Sequence, residues 1–382
     1  MDSKGYIKIL FYDAYANLNT VAGGSIRSLK YLIQELKKDE NLDISIILND
    51  PVSEHVDFYR RLGIRIYSNR ITARLGIYGR KKLLLLKVVQ YVLHLLPAFV
   101  WFYRLCRKEN FDVIIFNEHR SAGTFLVPAK LSRCRIITFV RSTFGLDKPV
   151  IRAIYWQSDR LICVSKGTHN LLSPRLQARA EVIYNIYPRQ LSGNRLRDLD
   201  LPLELLSLGA ISEYKGIDLV IKAIAMLPEE EKKQVSYAVV GGVKDHKYYE
   251  YLKELIHQEA LTNCVNFEGF HSNINPFLEK AHFLVLPSHH EGFARVIPEA
   301  FDFSVPVIAS DVGGNPEAIR HGENGFLFKR GDEVQLSSII SDIIKMKVDY
   351  RLLCEQAYKS LDNYSAVESV SKFVKLVNAL LS

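Results

Sequence analysis

Short apolar runs and longer mixed segments alternate along almost the whole of this chain. Ile7-Lys-Ile-Leu-Phe11 is a compact apolar run, and Ser25 to Leu36 then carries apolar residues at helical spacing. Leu42 to Leu48 has β character, and Val52 to Leu62 returns to a helical pattern. Val113-Ile-Ile-Phe116, Arg135-Ile-Ile-Thr-Phe-Val140 and Arg160-Leu-Ile-Cys-Val164 are further strand-type runs with helical stretches between them. The theme restarts with strands expected at Leu203–Leu208, Val235–Val240, Val265–Phe267, Phe283–Leu286 and Pro306–Ala309. Helices are expected over Gly216–Met226 and near Tyr248–Ala260. Alternation of this kind predicts an α/β class built of βαβ units, with parallel sheets covered on both faces.

One segment breaks the pattern. Pro188-Arg-Gln-Leu-Ser-Gly-Asn-Arg-Leu-Arg-Asp-Leu-Asp200 is polar, holds Pro and Gly, and has little apolar periodicity. It predicts a linker over 188–200 between two Rossmann-like domains, 1–187 and 201–362. A C-terminal helix over 363–382 is expected to pack back on the first domain. At 382 residues the chain is long enough for two domains of ordinary size. Ligands of open parallel sheets bind beyond the carboxyl ends of the strands. Two such edges facing across a cleft would suit a donor and an acceptor.

Composition changes this picture little. The chain is 48% apolar and 24% charged, without low-complexity tracts or a clear internal repeat. Its five cysteines, at 106, 134, 163, 264 and 354, form no metal knuckle and are expected as reduced thiols. Met-Asp-Ser-Lys-Gly runs straight into the first strand, so no export signal is expected and the protein is placed in the cytoplasm.

Charge changes it more. Residues 70–108 hold nine Lys or Arg and no Asp or Glu, so the rest of the chain sums to about −1 of the net charge of +8. A nucleic-acid binder would spread its basic residues along a face with base-stacking aromatics in a recognisable module, and none is present. Within this stretch Leu83 to Tyr103 is almost wholly apolar. It admits three readings: a membrane span, interrupted by Lys87, Gln90, His94 and Pro97; a buried or half-buried helix pair broken at Pro97; or a basic, apolar face resting on an anionic membrane. The last two are compatible, and they predict a peripheral position on the inner face of the membrane.

The most specific passage is Leu286-Pro-Ser-His-His-Glu-Gly-Phe-Ala-Arg-Val-Ile-Pro-Glu-Ala300. A strand ends, a loop follows, and a helix starts near Val296. Glu291 stands in the loop and Glu299 in the first turns of the helix, with seven residues between them. A Gly-containing loop beside a helix start suits an anion or sugar hydroxyls, and two carboxylates accept hydrogen bonds from separated hydroxyls. Capping and plain surface acids would explain the same residues without a ligand. In Ser207-Leu-Gly-Ala-Ile-Ser-Glu-Tyr-Lys-Gly-Ile-Asp218 a strand turns into a helix past Lys215-Gly216. A lysine there either meets a departing diphosphate or is an ordinary exposed cation. Ala22-Gly-Gly-Ser-Ile-Arg27 places Gly23 and Gly24 before a helix, as a phosphate approach or a simple tight turn.

These passages together resemble the large retaining glycosyltransferase family 4, also called group 1, of the GT-B fold. The likeness covers most of the chain and is strongest in the second half. By resemblance, Glu291 and the Gly292 and Phe293 amides hold the donor sugar, and Glu299 grips the ribose. Lys215 binds the diphosphate, and the Gly23-Gly24 loop faces it. Val164-Ser-Lys-Gly, Val182-Ile-Tyr-Asn-Ile186 and Val240-Gly-Gly-Val fit the family pattern as well. Gly313-Gly314 and Glu317 are expected as a turn and a cap. Two positions depart from it. Ala210 stands where the family has Arg, with Arg295 as a possible substitute, and Val140-Arg141 stands where a His is common. His119 is the other candidate, with Arg141, for contacts to acceptor or sugar; an ordinary loop histidine is its alternative. Asp198-Leu-Asp200 follows no strand, and His289-His290-Glu291 lacks a third ligand, so neither a metal nor another cofactor is expected. The implied reaction moves a sugar from a nucleotide-diphospho-sugar to a glycan or lipid-linked acceptor. The rivals are an epimerase or a phosphorylase on the same fold, and an inactive sugar-nucleotide-binding scaffold.

Overall fold

The computed structural model describes residues 5–14, 24–49, 54–68, 85–143, 145–190 and 197–382. Gly23 and the first part of the basic segment, up to residue 84, lie outside the described residues. The chain divides into two units, Met1–Ile186 with Ala366–Ser382, and Tyr187–Ser365.

The first unit holds strands β1 (Ile7–Tyr12), β2 (Leu42–Ile47), β3 (Arg65–Tyr67), β4 (Val113–Phe116), β5 (Arg135–Val140), β6 (Arg160–Cys163) and β7 (Ala180–Val182). They form one sheet in the order β3-β2-β1-β4-β5-β6-β7. All pairings are parallel; Ile9 of β1 registers with Ile44 of β2 on one side and Val113 of β4 on the other. Every residue of Val113-Ile-Ile-Phe116 is buried, as a central strand covered on both faces requires. The C-terminal helix Ala366–Leu381 belongs to this unit and brings Phe373 onto Phe11, ring centroids 6.3 Å apart.

The expected break at Pro97 is not there. One helix runs from Leu85 to Glu109 with Pro97 inside it. An internal proline costs a helix about 3 kcal/mol. Just beyond it Ala98, Phe102, Leu105 and Cys106 are buried, and Phe102 stacks on Phe125 at 4.4 Å. Burial of each large apolar side chain contributes about 1.5–3 kcal/mol, which outweighs that cost. Among the described residues no helix is long and apolar enough to cross a membrane.

The second unit holds β8 (Leu203–Leu208), β9 (Val235–Val240), β10 (Val265–Gly269), β11 (Phe283–Leu286), β12 (Val307–Ser310) and β13 (Gly325–Phe328). Their order is β10-β9-β8-β11-β12-β13, again parallel, with Leu205 of β8 beside Tyr237 of β9 and Phe283 of β11. The helix Ile217–Ala225 lays Val220, Ile221 and Ile224 on one side of this sheet's core, joined by Leu336 and Ile340 from the helix Glu333–Ile344. In both sheets the strand order reverses once: between β1 and β4, and between β8 and β11. Such a reversal parts the neighbouring connections and opens a crevice at the carboxyl edge. The described parts of the 188–200 segment carry no helix or strand. Arg189 pairs with Asp362 at 3.0 Å, and Asp200 of the Asp-x-Asp triplet pairs with His282 at 2.7 Å.

Candidate active site

The second reversal point is where β8 and β11 end side by side. After β8 the chain passes Gly209 and Ala210, makes a 3₁₀ turn over Glu213–Lys215, and enters the helix at Ile217. Gly216 permits this turn. Its φ is +67°, and a Cβ there would lie 2.2 Å from the Pro287 carbonyl oxygen. Only glycine lets the two loops touch. His289 N–H donates to the Tyr214 carbonyl at 2.8 Å, tying the loops again.

That contact delivers Lys215 to Glu291. Lys215 Nζ donates to Glu291 Oε1 at 2.6 Å, with both side chains largely buried. Ser288 Oγ donates to the same oxygen at 2.8 Å. Ser310 Oγ, at the end of β12, donates to the Ser288 carbonyl at 2.6 Å and anchors the loop. Burial pulls the Lys215 ammonium down, but the Glu291 carboxylate and the Tyr214 phenol outweigh it, so the pKa stands above its ordinary value. The lysine is a fixed cation. Gly313, at φ +56°, presses on the loop from β12, and a Cβ there would sit 1.8 Å from the Glu291 carbonyl oxygen. The turn expected at Gly313-Gly314 therefore also sets the height of Glu291.

Glu299 lies in the first turn of the helix Val296–Asp302 and is buried with Arg295 at its N-cap. Arg295 Nε donates to Glu299 Oε1 at 2.9 Å. This bond commits one face of the guanidinium to Glu299. Phe293 turns its ring inward onto Tyr364, 5.6 Å between centroids.

The first reversal point, past β1 and β4, is also polar. Asp13 is buried and accepts from Asn117 Nδ2 at 2.8 Å. Arg141, past β5, donates through Nε to Asn117 Oδ1 at 2.6 Å and through Nη1 to Asn185 Oδ1 at 2.9 Å. Burial lowers the pKa of Arg141 to about 10, against the pull of Asp13 and Glu118, and it stays charged. His119 is not in a loop. It opens the helix His119–Leu131, and its Nδ1 lies 3.4 Å from the Tyr155 hydroxyl. Burial, with Arg120 and Lys148 nearby, pushes its pKa down to about 4, so it is neutral at physiological pH. Next to it Glu118 is pushed the other way, up to about 8, by burial and then by Asp13.

A family model described as glycosyl transferases group 1 matches residues 199–360, and one described as glycosyltransferase family 4 matches residues 22–188. The chain belongs to this family of glycosyltransferases. An uncharacterized glycosyltransferase of Methanocaldococcus jannaschii is 30% identical over 269 residues, covering 68% of this chain and 73% of that protein. The O-antigen biosynthesis glycosyltransferase WclY of Escherichia coli is 23% identical over 298 residues, covering 71% and 80%. The structure of Anabaena HepE in complex with UDP-glucose matches with a TM-score of 0.74 at 18% identity, covering 98% of this chain and 100% of that one. The fold is that of the GT-B glycosyltransferases.

In this glycosyltransferase Lys215 and Glu291 are in contact, and Arg295 and Glu299 form a second pair. Gly24 is exposed at the start of the helix Gly24–Leu36. Sequence reasoning missed Ser288, Asp13, Asn117, Glu118 and Asn185. For Asn117 and Glu118 a signal existed: two polar residues directly follow the all-apolar β4. For Asn185 the signal was the match of Val182-Ile-Tyr-Asn-Ile186 to the family pattern; for Ser288 there was none, because only the fold sets its partners. Among the described residues no cluster of three or more His, Cys, Asp or Glu could hold a metal ion.

Proposed function

We propose that this chain is a retaining transferase of a hexose-type sugar, from a nucleotide-diphospho-sugar to a glycan or lipid-linked acceptor, in cell-surface polysaccharide or glycolipid assembly. The observation that carries this reading is the Lys215–Glu291 contact at the strand reversal of the second sheet. A cation held there beforehand stabilises charge that grows on a leaving diphosphate, which favours the transition state over the ground state. In this reading the diphosphate takes Lys215 as its counter-charge. Glu291 is then released to accept from sugar hydroxyls, beside the Gly292 and Phe293 amides. Glu299, steadied by Arg295, takes the ribose. The acceptor hydroxyl attacks from the face the diphosphate leaves, and a diphosphate oxygen takes its proton. No metal or other cofactor enters this scheme. The first unit takes the acceptor.

The surface of the helix Leu85–Glu109 supports a peripheral membrane site for that chemistry, on the cytoplasmic side. Leu96 is 60% exposed and Val100 47%, and both line a groove with Arg104 and Lys108. An apolar strip edged by cations suits an anionic bilayer. Flotation with anionic liposomes should exceed flotation with neutral ones. Equal flotation with the two would remove the membrane contact from the proposal.

The central test is thermal stabilisation by a panel of UDP-, GDP-, ADP-, TDP- and CMP-sugars on wild type and Glu299→Ala. One diphospho-sugar should raise the Tm of the wild type and lose most of that effect in the variant. No response to any of them would sink the donor reading. Ala210, in place of the family's arginine, favours a second reading, a binder without transfer. It predicts the same stabilisation with no product.

A further inference from the structure

Glu118 is the N-cap residue of the helix His119–Leu131, yet its side chain makes no capping bond; the backbone is fully extended there, at φ −169° and ψ 177°. Its Oε1 is buried and has no hydrogen-bond partner. A buried carboxyl oxygen in this condition carries an uncompensated desolvation cost, which a ligand hydroxyl would offset. Its position is not arbitrary. It stands directly past β4, beside Asp13 past β1, and so at the reversal point of the first sheet, where crevices form.

We propose that Glu118 is an acceptor-binding residue, whose carboxyl hydrogen-bonds a hydroxyl of a neutral, polyhydroxylated acceptor. This rests on the reading of the first unit as the acceptor unit. The neighbours decide the ligand class. Among the described residues, those that act on Glu118 are Asp13 past β1, Arg120 on its own helix and Arg141 past β5. It acts in turn on Tyr155, on the helix Pro149–Gln157. Asp13 repels an anionic ligand. The Arg141 guanidinium is already tied to Asn117 and Asn185 and is poorly placed to recruit a phosphate. A sugar hydroxyl meets no such repulsion, and the neutral acid both donates to it and accepts from it. Ionisation removes the bond the acid donates, so binding should weaken as pH rises past about 8.

The experiment is saturation-transfer NMR with methyl glucoside as the probe, on wild type, Glu118→Ala and Glu118→Gln, between pH 6 and 9. Glu118→Gln keeps both a donor and an acceptor without the charge, and thermal melts confirm that each variant is folded. Wild type should bind and weaken at high pH. The alanine variant should lose roughly fivefold to tenfold in affinity. The glutamine variant should bind at every pH without the alkaline loss. No binding by wild type, equal binding by wild type and Glu118→Ala, or the same alkaline loss in Glu118→Gln would each overturn the proposal. Stabilisation by the same panel of nucleotide-sugars, run in parallel, reports on the second unit. No response to any of them would count against the donor reading and leave the Glu118 result standing.

Discussion

The two sheets reverse strand order in the same way, yet the residues at the two reversal points are tuned in opposite senses. At the second, Lys215 and Glu291 are opposite charges locked at 2.6 Å, and the cation is held above its ordinary pKa. At the first, carboxyls gather. Asp13 is buried, Glu118 is pushed up to about 8, and His119 is kept neutral. The second edge holds a fixed ion pair, while the first sets a raised carboxyl and a neutral imidazole around the buried Arg141 cation. The difference shows how one topology carries two polarities: the backbone supplies the edge, and a few side chains set its charge.

The sharpest way to break that contrast is Lys215→Ala. Loss of a preorganised cation at a leaving group should cut kcat by about 10²–10³-fold, while methyl glucoside binding by the first unit is unchanged. Steady-state transfer assays would decide it, and full activity would end the assignment of Lys215. Next is Gly313→Ala. The added methyl collides with the Glu291 carbonyl and occupies a left-handed conformation, which alone costs about 1–2 kcal/mol. Donor-induced stabilisation should fall along with Tm. A variant with a lowered Tm and an intact donor response would show that Gly313 supports the fold but not Glu291.

The smallest effect separates the titrations of the first edge. Glu118 has a folded pKa raised from 4.5 to about 8, so its contribution to stability is complete below about pH 4.5 and is lost as pH rises to 8. His119 has a folded pKa lowered from 6.5 to about 4, so its contribution is present above 6.5 and is lost as pH falls to 4. The two oppose one another in acid. Between pH 6.5 and 8 only Glu118 acts of the two, with a slope of at most about 1.4 kcal/mol per pH unit. Chemical denaturation across that range should lose this slope in Glu118→Gln. An unchanged slope would mean that Glu118 is not the group responsible.

Much of the fold was legible in the residues. The apolar runs at Ile7–Phe11, Val113–Phe116, Arg135–Val140, Leu203–Leu208 and Phe283–Leu286 are strands, because a strand buried on both faces must be apolar throughout. Short edge strands were less legible. Arg65–Tyr67 is three residues long and partly exposed, so no run marks it, and Phe326-Leu-Phe328 is a run of only three apolar residues, partly exposed. Pro97 misled in the other direction. Its local cost suggested a break, but Phe102 packed on Phe125 holds the helix continuous, a contact between residues distant in sequence. In the candidate site the spacing of Glu291 and Glu299 was visible, while the partners of each were not. Ser288 and Gly313 act on Glu291 through loops that only the sheet brings together.

The sequence by itself determined the α/β class, the alternation of elements and the family, because hydrophobic periodicity and loop motifs are local properties of the chain. The tertiary structure alone decided which charges meet. Lys215 and Glu291 are 76 residues apart, and their contact depends on β8 and β11 lying side by side with a glycine between their loops. The raised carboxyl of Glu118 likewise depends on burial and on Asp13, more than a hundred positions earlier. Electrostatic coupling falls with distance in space and not along the chain, so no pattern of neighbours in the sequence could have revealed either.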